Sequence, residues 1–282
     1  MRVIDNISGL KAIIRVQKAA GRTIGFVPTM GYLHEGHMSL ARASAAENDF
    51  TVMSIFVNPL QFGVNEDFDK YPADFDGDTV KAGNSGVDVL FMPTAEEMYP
   101  AGFSTYVEVS GEITGKLCGK SRPGHFRGVA TVVAKLFNLV EPTRAYFGQK
   151  DAQQAAIITK MARELDLNLE VVICPIVREA DGLAMSSRNV YLNVEERKAA
   201  LVLSASLFQA EGRIKAGERS AERILAGIRE KINAESMAQL DYASVVNAAT
   251  LEDVRQIKGK VLIVLAVKFG KTRLIDNITM EV

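Results

Sequence analysis

Val27-Pro-Thr-Met-Gly-Tyr-Leu-His-Glu-Gly-His37 decides how the rest of this chain is read. It follows an apolar, β-like run (residues 23–27) and opens a helix-like one, Met38-Ser-Leu-Ala-Arg-Ala-Ser-Ala-Ala46. The turn between them carries glycines and two of the chain's three histidines, His34 and His37. A strand running into a helix N-terminus aims backbone N–H groups and the positive end of the helix dipole at one point, which favours an anion. Imidazoles there add donors for charge that builds on phosphate oxygens. The stretch therefore points to a phosphate site. A capping role for the two histidines stays open on these residues alone.

A zinc protease site is excluded. It needs His-Glu-x-x-His, with the histidines four apart on one helix face. Position 38 is Met, and no acidic residue at helical spacing completes a ligand triad.

Outward from this turn, strand and helix alternate up to about residue 175. Strands are expected at 23–27, 50–57, 87–92, 144–147 and 169–174, and helices at 10–20, 38–47, 74–83, 129–140 and 151–165. The strand runs are apolar throughout, as in a parallel sheet covered on both faces. This is the pattern of a doubly wound, Rossmann-like α/β domain, whose ligands sit beyond the carboxyl ends of the strands. His34 and His37, Asn58 to Gln61, Gly148 to Asp151 and Val177 all follow strand ends.

After Asp181-Gly182 the texture changes. Two long amphipathic helices (194–216 and 220–234), β-like runs at 242–246 and 260–267, and a short one at 274–282 predict a smaller α+β domain. The expected division is an α/β domain over 1–176 and a C-terminal α+β lid domain over 177–282, joined by a hinge-like loop near 175–182.

Bulk properties narrow the function. The chain has 282 residues, ample for two cores. A net charge of −1 gives no bulk attraction to nucleic acid or to an anionic membrane. Cys118 and Cys174 are far apart and lack metal-ligand spacing, which suits free thiols in a reducing cytosol. The opening Met-Arg-Val-Ile-Asp-Asn-Ile7 has charges and a helix-like pattern where a signal peptide needs an apolar core. No apolar run approaches the ~20 residues that span a bilayer. A soluble, cytoplasmic protein is expected.

The His-x-Gly-His turn resembles the signature of the nucleotidyltransferase superfamily. Further motifs narrow the likeness: Phe56-Val-Asn-Pro-Leu-Gln-Phe-Gly63, Arg122-Pro-Gly-His-Phe126, Tyr146-Phe-Gly-Gln-Lys-Asp151 with Gln153-Gln154, Met185-Ser-Ser-Arg-Asn189 and Arg273-Leu-Ile-Asp-Asn277. In that order they resemble the pantothenate synthetase (pantoate–β-alanine ligase) family over essentially the whole chain. The resemblance implies ATP-dependent condensation of pantoate with β-alanine through a pantoyl adenylate, releasing pyrophosphate and AMP. It also implies a homodimer. Mg²⁺ is expected to ride on the nucleotide phosphates, since it commonly keeps waters and takes few protein ligands.

Residue by residue, the resemblance implies that His34 and His37 bind the ATP phosphates, with Met30, Gly31 and Gly36 in the same turn. Gly148, Lys150 and Asp151 complete the nucleotide contacts, with Lys150 as a point charge for phosphate. Asp151 reads equally as an N-cap. Ser186, Ser187 and Arg188 would close over the triphosphate, and Val177 and Met185 would meet adenine through their backbones. Gln61 and Gln154 would hold pantoate, with Asn58, Pro28 and Tyr71 lining that pocket. Without the resemblance, Asn-Pro reads as a turn and Ser-Ser-Arg as ordinary surface.

Gln149 departs from the pattern, since many relatives have Glu there; the change is expected to be tolerated. His125 is either structural or orders the substrate pocket. The polar stretch 63–72 reads as a mobile flap over the reactive intermediate. Asp74, Asp76 and Asp78 read as caps and solvated carboxylates. Two rival readings remain: an adenylyltransferase for another acceptor, which lacks the paired glutamines, and a non-catalytic nucleotide-binding module, which releases no pyrophosphate.

Overall fold

Apolar runs and intervening helices assemble as an all-parallel sheet. The computed structural model describes residues 1–64 and 66–282. Asn65, which belongs to the stretch read as a flap, lies outside them. The chain forms two compact units: Met1–Gly148 with Ile157–Pro175, and Gln149–Ala156 with Ile176–Val282.

In the first unit the strands are β1 (Arg2–Ile4), β2 (Ile24–Thr29), β3 (Phe50–Ile55), β4 (Val89–Phe91), β5 (Arg144–Gly148) and β6 (Glu170–Cys174). They pair in the order β1-β4-β3-β2-β5-β6, every pair parallel. The order reverses between β2 and β5, the switch point at which such sheets bind ligands. Helices α1 (Ile7–Ala19), α2 (Glu35–Glu47) and α3 (Phe75–Asn84) precede three single-turn helices, α4 (Ala95–Met98), α5 (Glu112–Gly115) and α6 (Cys118–Ser121). Then come α7 (His125–Val140) and α8 (Ala152–Glu164).

Strand side chains alternate between two cores, which is why the strands read as unbroken apolar runs. Phe26, Val52, Phe91 and Phe147 join Leu10 and Ile14 of α1 and Val133 and Phe137 of α7. Val27, Met53, Leu90 and Tyr146 join Leu40 of α2 and Ala82 of α3.

The second unit carries α9 (Val194–Ala199), α10 (Val202–Lys215), α11 (Ala221–Asn233) and an antiparallel sheet of β7 (Ala238–Asn247), β8 (Lys260–Phe269) and β9 (Thr272–Glu281). Its core joins Leu203, Leu207, Ile224, Ile228 and Ile232 to Val245, Ile263, Leu265 and Phe269.

Three expectations are corrected. Residues 2–4 are a strand, because Arg2 to Ile4 find Val89 to Phe91 as parallel partners; a three-residue run has no periodicity of its own to announce this. The helix expected over 194–216 is broken at Ala200 and Leu201, where tighter i→i+3 bonds replace the helical ones (Leu201 N–H to Lys198 O, 3.3 Å; Leu203 N–H to Ala200 O, 3.2 Å). The final strand is ten residues long, since every position from Thr272 to Glu281 pairs with β8.

Candidate active site

The turn after β2 is held from below. Gly31 (φ +88°) and Tyr32 (φ +51°) both lie in the left-handed region, so the chain reverses sharply here. Two consecutive backbone N–H groups then converge on one carboxylate: Tyr32 donates to Asp78 Oδ2 at 2.7 Å and Leu33 to Oδ1 at 2.6 Å. Asp78 is only 2% exposed, so it is not the solvated group expected from the sequence. Burial pushes its carboxyl above the ordinary range, against the pull of the two N–H groups. A Cβ on Gly31 would come within 3.2 Å of Asp78 Oδ2 and 2.9 Å of Ile55 Cγ2.

His34 is the N-cap of α2. Its Nδ1 accepts the Gly36 N–H at 3.1 Å, while the His34 N–H donates to Nδ1 of His37 at 3.3 Å. The rings lie 4.0 Å apart between centroids. Capping and phosphate binding are therefore compatible. A ring nitrogen that accepts carries no proton, so each neutral imidazole has its proton on Nε2.

At the carboxyl end of β3, Asn58 begins a 3₁₀ turn, Pro59–Gln61. Asn58 is 1% exposed. Its Nδ2 donates to Gly128 O and Gln61 Oε1, both at 3.1 Å, and its Oδ1 accepts from Tyr99 Oη at 2.8 Å. Those bonds orient the Gln61 amide, whose Nε2 donates to Met30 Sδ at 3.1 Å. Sulfur is a weak acceptor, so this donor can be claimed by a better one. Met30 and Gln61 are thereby brought together; Pro28, two residues before Met30, is half-buried in β2.

His125 touches this loop as well. Its Nδ1 lies 2.8 Å from Gln61 O and its Nε2 2.9 Å from Arg122 Nη1. A carbonyl only accepts and a guanidinium only donates, so Nδ1 carries the proton and Nε2 accepts. Arg122 also pairs with Glu66. Burial opposes ionisation of Glu66, but Arg122 outweighs it and holds the carboxyl below its ordinary range. Within the stretch read as a flap, Tyr71 stacks edge-on against Phe62 at 6.0 Å.

In the second unit, Gln149–Asp151 is a 3₁₀ turn entered directly from β5, with Lys150 3.9 Å from Asp151. Gln153 is buried and Gln154 half-buried. Val177 O accepts the Met185 N–H at 3.0 Å, which makes these two residues partners in a short hairpin. Ser186 caps the following 3₁₀ turn through the Arg188 N–H (3.2 Å), and Ser187 is buried. Gln149 donates to Asn277 Oδ1 and Thr279 Oγ1, each at 3.1 Å. Among the described residues, no group of three or more His, Cys, Asp or Glu side chains is arranged to hold a metal ion.

The sheet order and the imidazole-bearing turn at the end of its central strand place the first unit among doubly wound α/β domains that bind ligands at a switch point. A family model described as pantoate-β-alanine ligase matches residues 2–279. A pantothenate synthetase of Acetivibrio thermocellus is 64% identical over 282 residues, all of both chains. One from Pelotomaculum thermopropionicum is 57% identical over 277 residues, covering 98% of each.

Among solved structures, pantothenate synthetase from Thermus thermophilus superposes with a TM-score of 0.95 at 45% identity, covering 99% of both chains. The pantoate-β-alanine ligase of Francisella tularensis, solved with β-γ ATP and β-alanine, gives 0.80 at 35% identity, covering 99% of this chain and 97% of its own. The chain belongs to the pantoate–β-alanine ligase family.

Sequence reasoning missed Asp78, because a carboxylate in a polar helix start looks like any solvated cap. It also left Arg178, Asp276 and Asn277 without roles. For Asp276 and Asn277 the signal was the terminal Arg273-Leu-Ile-Asp-Asn277 run; Arg178 had none.

Proposed function

We propose that this protein joins pantoate to β-alanine at the expense of ATP. A pantoate carboxylate oxygen attacks the α-phosphorus, the bond from that phosphorus to the bridging oxygen breaks, and pyrophosphate leaves with that oxygen. The β-alanine amine then attacks the acyl carbon. AMP departs with the bond electrons, the amine loses a proton, and pantothenate results. Both nucleophiles come from substrates, so the protein's task is orientation and charge stabilisation.

The observation that carries this reading is the shared Nδ1 capping of His34 and His37. In that arrangement each neutral ring has its N–H on Nε2, near a helix N-terminus, where leaving pyrophosphate would accumulate charge. Lys150, Ser186, Ser187 and Arg188 supply further positive charge and donors, and Gly148, Asp151, Val177 and Met185 meet the nucleoside. Gln61 meets pantoate through an amide that has only a sulfur acceptor to give up. Asn58 orients Gln61; Gln154, Pro28 and Tyr71 complete the pantoate side. Mg²⁺ arrives on the phosphates, keeping waters as its other ligands.

The decisive experiment has two stages: pantoate-dependent pyrophosphate release, then β-alanine-dependent AMP release. A folded, ATP-binding protein that does neither would instead be a nucleotide-binding module. A homodimer in the cytosol belongs to the same reading. Sedimentation of the pure protein tests the dimer. No helix among the described residues is long and apolar enough to cross a membrane.

A further inference from the structure

Arg273-Leu-Ile-Asp-Asn277 takes no part in the reaction above, yet two of its residues are almost wholly buried: Asp276 at 1% and Asn277 at 2% exposure. Asn277 Nδ2 donates to the backbone carbonyls of Gln149 (3.0 Å) and Lys150 (2.9 Å). Its Oδ1 accepts from Gln149 Nε2 at 3.1 Å. Carbonyls only accept, so the amide has one workable orientation, and both faces of it are spent on the turn that carries Lys150.

Its neighbour holds a different segment. Asp276 takes Arg178 in a two-pronged pair, Nη1 to Oδ2 at 2.7 Å and Nη2 to Oδ1 at 3.0 Å, and also accepts the Asn277 N–H at 2.8 Å. Arg178 Nη1 donates onward to Gly182 O at 3.1 Å, closing the hairpin in which Arg178 bridges Ala184 and Val177 pairs with Met185. Successive residues of one strand thus fix two segments that are far apart in sequence.

We propose that Asp276 and Asn277 are positioning residues for the nucleotide: Asn277 sets the Gln149–Asp151 turn, and Asp276, through Arg178, sets the Val177–Met185 hairpin. The inference rests on the reading that Lys150 meets the ATP phosphates. A turn ordered before binding costs nothing to order when ATP arrives. Gln149 belongs to the same device. Its amide supplies the donor that Asn277 Oδ1 needs, which a glutamate at that position does not.

The test compares Asn277→Asp, Gln149→Ala and Lys150→Ala by KM for ATP, KM for β-alanine and melting temperature. Asn277→Asp keeps the shape but turns two donations into carboxylate–carbonyl repulsions. It should raise KM for ATP roughly ten- to hundredfold, the scale of one or two lost hydrogen bonds, and leave KM for β-alanine within about twofold. Gln149→Ala removes one donor from a half-buried side chain and should raise KM for ATP by a few-fold.

A merely structural role would lower melting temperature and active fraction with KM for ATP unchanged, and that result overturns the proposal. Should Asn277→Asp fail to fold, Gln149→Ala decides alone: a raised KM for ATP supports the proposal and an unchanged one removes it. Wild-type ATP affinity in Lys150→Ala removes the underlying site reading. A weakened Lys150→Ala beside unaffected Asn277→Asp and Gln149→Ala removes only this inference.

Discussion

Asp78 accepts the backbone N–H of Leu33 at 2.6 Å across 45 residues of sequence. The residue after Leu33 is the histidine that caps α2, so a buried carboxylate on α3 sets the entry angle of the imidazole pair. Asp78→Asn replaces one acceptor oxygen with a donor that faces another donor. It should cost about 1–3 kcal/mol of stability, the scale of a buried group left unsatisfied, and slow pyrophosphate release by roughly tenfold or more as the turn loosens. Urea denaturation and single-turnover pyrophosphate release measure the two effects. A wild-type rate in the folded variant would show that the turn does not need this brace.

The same carboxylate gives a pH dependence whose sign is fixed by burial. Its folded-state pKa lies above that of the unfolded chain, so the folded state binds the proton more tightly. This contribution to stability is fully present below the ordinary Asp value of about 3.9, and is lost as pH rises through the raised folded value. Glu66 works the other way. Its folded pKa is lowered, so its contribution is present above the ordinary Glu value of about 4.3 and is lost as pH falls through the folded one. Stability measured against pH should therefore lose its Asp78 component in Asp78→Asn and its Glu66 component in Glu66→Gln. Parallel curves for wild type and Asp78→Asn would contradict the first assignment.

Capping and catalysis by His37 can be separated. Asparagine is a good helix-start acceptor and can receive the His34 N–H that Nδ1 now takes, yet it has nothing at the Nε2 position. His37→Asn should melt close to wild type while pantoyl adenylate formation falls by roughly 10²–10³-fold, the scale for one lost charge-stabilising donor. His37→Ala should lose the same rate and some stability besides. Near-normal pyrophosphate release from folded His37→Asn would assign the ring to capping alone.

Gly128 lets α7 lie directly on the Asn58–Gln61 turn. A Cβ there would stand 2.1 Å from Leu60 O and 2.4 Å from Leu60 C, both backbone atoms that cannot swing aside. Gly128→Ala should destabilise by about 1–3 kcal/mol through overpacking. Because Asn58 donates to Gly128 O, the variant should also raise KM for pantoate more than KM for ATP. Equal changes in the two constants would argue that the Asn58–Gln61 turn is not part of the pantoate pocket.

The legible parts of this protein were those with strong local signals. Doubly buried parallel strands must be apolar on both sides, so β2, β3 and β5 announced themselves. A turn carrying His34 and His37 into a helix did the same for the proposed phosphate end of the site. The three residues of β1 were illegible because their only reason to be extended is the partner strand at Val89 to Phe91. Asp78 and Asn277 were illegible as braces because nothing local separates a buried acceptor or donor from a solvated one. Their targets lie 45 and about 127 residues away.

The sequence by itself therefore determined the α/β pattern, the smaller α+β portion and the identities of the groups proposed to handle phosphate and a small hydroxy acid. Composition and periodicity act through neighbours along the chain, and motif chemistry is a property of the side chains themselves. Tertiary structure alone decided three things: that both imidazoles accept at Nδ1 and keep their protons on Nε2, that Asp78 braces their turn, and that Gln149–Ala156 groups with Ile176–Val282. Each depends on a hydrogen bond or packing contact whose direction and partner are set only once distant backbone segments meet.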